Sequence, residues 1–209
     1  MATLAETARM LNLRARIQNR AQTPACALPP LILVTDADRL ADPETAVRRL
    51  PRGSAVILRH YRDPRRRELA HRLAAVCRRH ALRLLIAGDA RLARAVGADG
   101  VHLPEALVRH GCRSWRLWRR PGWIVTAAAH SPAALRAAAQ AGADAVLLSP
   151  VFATRSHPDR PPLGVLKFQA WARRCSLPVY ALGGITRRTA PRLTQTRAVG
   201  LAGIGGLIS

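Results

Sequence analysis

His130 stands between an apolar run, Trp123–Ala127, and the helix-start pair Ser131-Pro132. Imidazole titrates near neutrality, so a histidine at such a junction can move a proton to and from a bound ligand. A rim histidine hydrogen-bonded to backbone fits the same place. Arg59 closes the apolar run Ala55–Arg59, where its guanidinium suits a ligand phosphate or carboxylate. A structural pair with Asp36 or Asp89 suits that position equally. Two glycine clusters, Gly183-Gly184-Ile185 and Gly203-Ile204-Gly205-Gly206, let backbone N–H groups approach an anion closely, or make tight turns. Thr154 and Ser156 lie in a long segment, Ser149–Pro162, whose hydroxyls can hold a ligand and whose length suits a lid. His102 falls within an apolar run and reads as a packed residue.

Other chemistries are not supported. Asp36 and Asp89 are isolated, so no carboxylate pair has metal spacing, and no Ser/His/Asp nucleophile set is visible. Cys26, Cys77, Cys112 and Cys175 lie far apart with no C-x-x-C pair, which points away from zinc and thioredoxin-like sites.

Eight short apolar runs can carry these residues: 31–35, 55–59, 83–87, 99–103, 123–127, 144–149, 178–182 and 199–203. Apolar on both faces, they suit parallel strands covered by helices. Helices are predicted between them. One over 63–80 places Leu69, Leu73, Val76 and Cys77 on one face, and another spans 132–141 behind an N-cap at Ser131 and a C-terminal Gly142. Gly-Ala-Asp recurs at 97–99 and 142–144, as in successive strand–helix units. The pattern predicts a single (β/α)8 TIM barrel over residues 31–209, with a doubly wound sheet as the alternative. Residues 1–30 read as an N-terminal extension: a short helix with Leu4, Ala8 and Leu11 on one face, then a linker. In a barrel the site lies at the C-terminal strand ends, where the candidate residues stand.

The charge is extreme: 34 Lys+Arg against 12 Asp+Glu give +22, and every cation but Lys167 is arginine. Such a field draws polyanions. Nucleic acid has only this net charge behind it, and 4% aromatic residues argue against a base-stacking platform, so it is not the expected partner. Arginines spread over solvated helix faces account for the charge equally well. No run is long enough to span a bilayer, and the absence of an apolar signal region points to the cytoplasm, with a homo-oligomer left open.

The strand-end motifs carry a resemblance. Leu-Val-Thr-Asp (33–36), Leu-Arg (58–59), Gly-Ala-Asp-Gly-Val-His-Leu (97–103), His-Ser (130–131), Ser-Pro-Val-Phe-Ala-Thr (149–154), Pro-Leu-Gly (162–164) and Ala-Leu-Gly-Gly-Ile (181–185) occur in order. From Leu31 to Ser209 the chain resembles the thiamine phosphate synthase / thiazole tautomerase superfamily of (β/α)8 barrels. In the synthase branch, magnesium and the diphosphate of an aminopyrimidine are held by a Gln-Leu-Arg-x-Lys motif and by carboxylates after the third and fourth strands. Here those positions fall on Ile57-Leu58-Arg59-His60-Tyr61, Ala87-Gly88 and Leu107, and the family's lysine after Thr-x-Thr falls on His157. Apolar residues cannot ligate magnesium. The thiazole-phosphate half is kept: Thr154, Ser156, Gly183 and Gly184 match, and Ile204-Gly205 replaces the family's Ile-Ser. The tautomerase branch uses a histidine matching His130 and needs no metal.

The resemblance therefore implies a barrel that binds a small phosphorylated thiazole. On this reading His130 is expected to transfer a proton without any metal or cofactor, and Arg59, Thr154, Ser156, Gly183, Gly184, Ile204 and Gly205 are expected to hold the ligand. One alternative is a divergent synthase joining aminopyrimidine diphosphate to thiazole phosphate, with Mg2+ restored by Asp89 or Glu105. The other is a non-catalytic barrel that binds a phosphorylated ligand.

Overall fold

The computed structural model describes residues 2–18, 27–154 and 161–204. Eight parallel strands close into a barrel in sequence order: β1 (Leu31–Val34), β2 (Ala55–Leu58), β3 (Arg83–Ala87), β4 (Gly100–Leu103), β5 (Ile124–Ala129), β6 (Ala145–Leu148), β7 (Val179–Leu182) and β8 (Ala198–Gly203). Every run predicted as a strand is one, and the (β/α)8 reading holds over the doubly wound sheet. β5 continues to Ala129, so His130 follows its last residue directly.

The two-faced apolar pattern has a simple cause. Alternate residues such as Ile32, Ile57, Leu85, Leu147 and Tyr180 fill the barrel interior. Their neighbours Leu33, Val56, Ile86, Val125 and Val146 pack outward under the helices. The helices are α1 (Leu4–Ile17), α2 (Pro43–Arg48), α3 (Arg66–Arg79), α4 (Ala90–Ala95), α5 (Glu105–Arg109), α6 (Pro132–Ala141) and α7 (Gly164–Arg174). α6 keeps its predicted bounds: the Ser131 hydroxyl accepts from Ala134 N–H, and Gly142 ends the helix at φ 82°. α3 starts three residues later than predicted, because Asp63 and Pro64 form a turn in which the Asp63 carboxylate accepts the Arg65 N–H at 2.8 Å. After β7 the return is a 3-10 turn (Ala190–Leu193) led by a proline.

α1 is docked. Leu4, Ala8 and Leu11 are buried, and the Asn12 amide donates to the carbonyls of Leu28 (3.2 Å) and Val199 (3.1 Å). The Tyr180 hydroxyl donates to the Pro29 carbonyl at 2.6 Å. The helix thus seals the N-terminal end of the barrel and leaves the opposite mouth to the strand-end residues.

Candidate active site

His130 leaves β5 beside the end of β4, because the two strands pair in register with Leu103 opposite Ala127. That neighbourhood brings it to Glu105, the first residue of α5. One carboxylate oxygen of Glu105 accepts both the His130 backbone N–H (2.9 Å) and the ring Nδ1–H (2.6 Å). The double contact fixes the imidazole's orientation and puts the proton on Nδ1, leaving Nε2 as the basic nitrogen. Both side chains are mostly covered, at 26% and 18% exposed. Arg109 approaches the other Glu105 oxygen at 3.9 Å. In the sequence Glu105 figures only as a replacement metal ligand. Its place one strand before His130 was the available signal, and it becomes useful only once strand register is known.

Arg59 resolves differently. Of its two candidate partners it takes Asp36, at 3.2 Å from Nη2 to Oδ2. Its backbone N–H donates to the Thr35 hydroxyl (3.2 Å), which also contacts the buried His60 Nδ1 at 2.9 Å. Asp89 instead caps α4 by accepting Leu92 N–H at 2.8 Å. A residue not singled out in the sequence stands beside it. Arg66, in the first turn of α3, donates through Nη2 to the Ala87 carbonyl at the end of β3. Its Nη1 lies 4.0 Å from Asp89, and its guanidinium sits 5.5 Å from the Tyr61 ring centre. Burial lowers the His60 pKa; Asp63 and Asp36 oppose that, while Arg66 and Arg59 add to it, so four charges converge round one ring.

On the far side of the mouth, β6 and β7 build a rim from backbone. Val151 and Phe152 N–H groups donate to the carbonyls of Leu182 and Gly183 at 2.9 and 3.0 Å. Gly183 (φ 96°) and Gly184 (φ 64°) are left-handed, and a Cβ on Gly184 would lie 2.5 Å from the Ala153 carbonyl oxygen. Thr154 follows that contact directly. Ile204 packs with Leu182 against the barrel interior at the adjoining end of β8. Thr154, Gly183, Gly184 and Ile204 therefore share one side, and Arg59 lies on another, three strands round the ring from β7. Ser156, Gly205 and His157 lie outside the described residues. His102 is buried as expected, bonded to Thr126 at 2.9 Å, and burial pushes its pKa down to about 3.

Magnesium does not fit these residues. It needs a set of oxygen ligands, yet each described carboxylate at the strand ends is engaged: Asp36 by Arg59, Asp89 by the α4 cap, and Glu105 by His130. Leu107, at the family's second carboxylate position, lines a lateral cavity of about 210 Å³ with Trp115 and Trp118. Among the described residues no cluster of three or more His, Cys, Asp or Glu side chains could hold a metal.

Comparison with known proteins agrees with the motifs. The family model described as thiamine monophosphate synthase matches residues 31–207. "Putative thiamine-phosphate synthase 2" of Aquifex aeolicus is 34% identical over 187 residues, covering 85% of this chain and 96% of that one. The thiamine-phosphate synthase of Thiobacillus denitrificans is 35% identical, covering 82% of each. Among solved structures, a thiamine phosphate pyrophosphorylase from Pyrococcus furiosus superposes with a TM-score of 0.68 at 25% identity, covering 85% of this chain and 86% of that one.

Proposed function

The chain belongs to the thiamine monophosphate synthase family, and on that premise we propose that it joins an aminopyrimidine diphosphate to a thiazole phosphate. One observation carries this reading: two separate parts of the mouth are suited to anions, arginine side chains at β2–β3 and a loop backbone shaped by left-handed glycines at β6–β7. A reaction of two phosphorylated substrates needs two such rims, and an isomerase of one needs only one. The relatives named above, matched over most of their length, support the same choice.

The chemistry follows from the rims. The thiazole nitrogen's lone pair forms a bond to the pyrimidine methylene carbon as the C–O bond to diphosphate breaks. Diphosphate leaves with that electron pair, and Arg59 faces the growing negative charge. The β6–β7 backbone fixes the thiazole phosphate and so aims the nitrogen. Incubating the folded protein with both substrates and oxidising the product to thiochrome is expected to give fluorescence. No product from protein that binds both substrates would overturn the synthase reading.

The His130–Glu105 pair favours a second reading, because the joining step moves no proton. A tautomerase-like reaction on a thiazole phosphate carboxylate does move one, and an imidazole oriented by a carboxylate is suited to it. Turnover of that compound, lost in His130→Ala with binding retained, would establish this reading instead.

A further inference from the structure

We propose that Arg66 and Arg59 together form a metal-free guanidinium clamp for the diphosphate of the pyrimidine substrate, with Arg66 supplying the cation at the end of β3. The inference rests on the synthase reading of the site.

Arg66 is placed as a ligand-binding arginine more than as a staple. Its side chain is only 15% exposed, yet among the described residues the Nε–H has no acceptor. A buried guanidinium donor is costly to leave unmatched, and such groups in native proteins call for an explanation. One N–H goes to the Ala87 carbonyl, and Asp89 at 4.0 Å is beyond a hydrogen bond. Asp89 spends its other oxygen on the α4 cap. The charge is therefore held in place and only partly neutralised.

Its position matches the need. Ala87 ends β3, where the resemblance leads one to look for a metal ligand, and Arg59 directly follows the adjacent β2. Tyr61 spans the two strand ends: its ring lies 5.5 Å from the Arg66 guanidinium and packs on Gly88, where a Cβ would come within 3.4 Å of it. Residues 59–67 hold five arginines and one aspartate. A diphosphate can accept from two planar forks at once, which suits guanidinium better than ammonium. In the joining step the clamp takes the charge that arrives on diphosphate with the C–O electron pair, while the pyrimidine methylene carbon passes to the thiazole nitrogen.

The test is calorimetric titration of inorganic pyrophosphate into the full chain in EDTA. Wild type is expected to bind at one site, Arg66→Met at least tenfold more weakly, and Arg66→Lys at an intermediate level, with thiazole phosphate binding unchanged in both. Arg66→Lys keeps a donor for Ala87, so it stays informative if Arg66→Met fails to fold. Pyrophosphate binding that requires magnesium, or that is spread over many sites and indifferent to both substitutions, overturns the clamp. The thiochrome assay separates the two ideas. Arg66-dependent pyrophosphate binding with no product under any condition leaves the clamp standing and removes the synthase reading. Product formed only with magnesium, from protein whose pyrophosphate binding also needs it, does the reverse.

Discussion

On the proposed reading, the two rims of the barrel mouth would attract anions by different physical means. At β2–β3 the groups are long side chains held by ion pairs and carbonyl contacts, so charge would do the binding. At β6–β7 there is backbone, held by left-handed glycines and cross-loop hydrogen bonds, so shape would do it. A charged rim keeps its strength through small movements and loses it to salt. A backbone rim depends less on salt but does not tolerate an added methyl at Gly183 or Gly184. Between them stands the His130–Glu105 pair, which belongs to neither.

The largest expected effect falls on that middle ground. If proton transfer occurs here, His130→Ala lowers kcat by about 100- to 10,000-fold. Glu105→Gln should lower it less, since the amide oxygen still accepts from the ring. Rate measurements on the thiazole phosphate carboxylate check both, and an unchanged kcat would assign the pair to structure.

The backbone rim breaks next. Gly184→Ala puts a Cβ against the Ala153 carbonyl and Phe152 in a left-handed conformation, which should lower Tm by roughly 4–10 °C. Thiazole phosphate affinity should fall with it, while pyrophosphate binding persists. Equal loss of both ligands would mean the rims are not independent.

Beneath the rims lies a pH effect. Burial lowers the folded His102 pKa from 6.5 to about 3, so the unfolded chain binds this proton first as pH falls. The stability owed to neutral His102 is present above about pH 6.5 and lost progressively towards pH 3, by about 1.4 kcal/mol per pH unit. Urea unfolding at pH 7, 6 and 5 should give a shallower slope for His102→Gln than for wild type.

The smallest effect sharpens the comparison. Raising salt tenfold should weaken pyrophosphate more than thiazole phosphate, because only one rim relies on mobile charge. Arg59→Ala should cost less than about 1 kcal/mol of stability, its pair with Asp36 being partly solvated.

These contrasts bear on what the chain's letters reveal. The strands were legible because a parallel barrel buries both faces, and the glycine rim because glycine pairs mark special backbone. Arg59 was legible as a cation at a strand end, but its choice of Asp36 over Asp89 depends on which loops lie side by side. Glu105 needed strand register to be paired with His130 across 25 residues. Arg66 was lost among many arginines, since it reaches the mouth from the first turn of a helix. Thr154 was placed beside the glycine rim, whereas Ser156 and Gly205 fall outside the described residues.

The seal at the bottom of the barrel has a consequence for synthesis. The Asn12 amide waits for the Val199 carbonyl, 187 residues further along, so α1 has no complete docking site until β8 is made. Closing that loop is slow because the contact is so distant in sequence. Until then Leu4, Ala8 and Leu11 lack their folded partners, and a nascent chain stalled before β8 should be held by chaperones through α1.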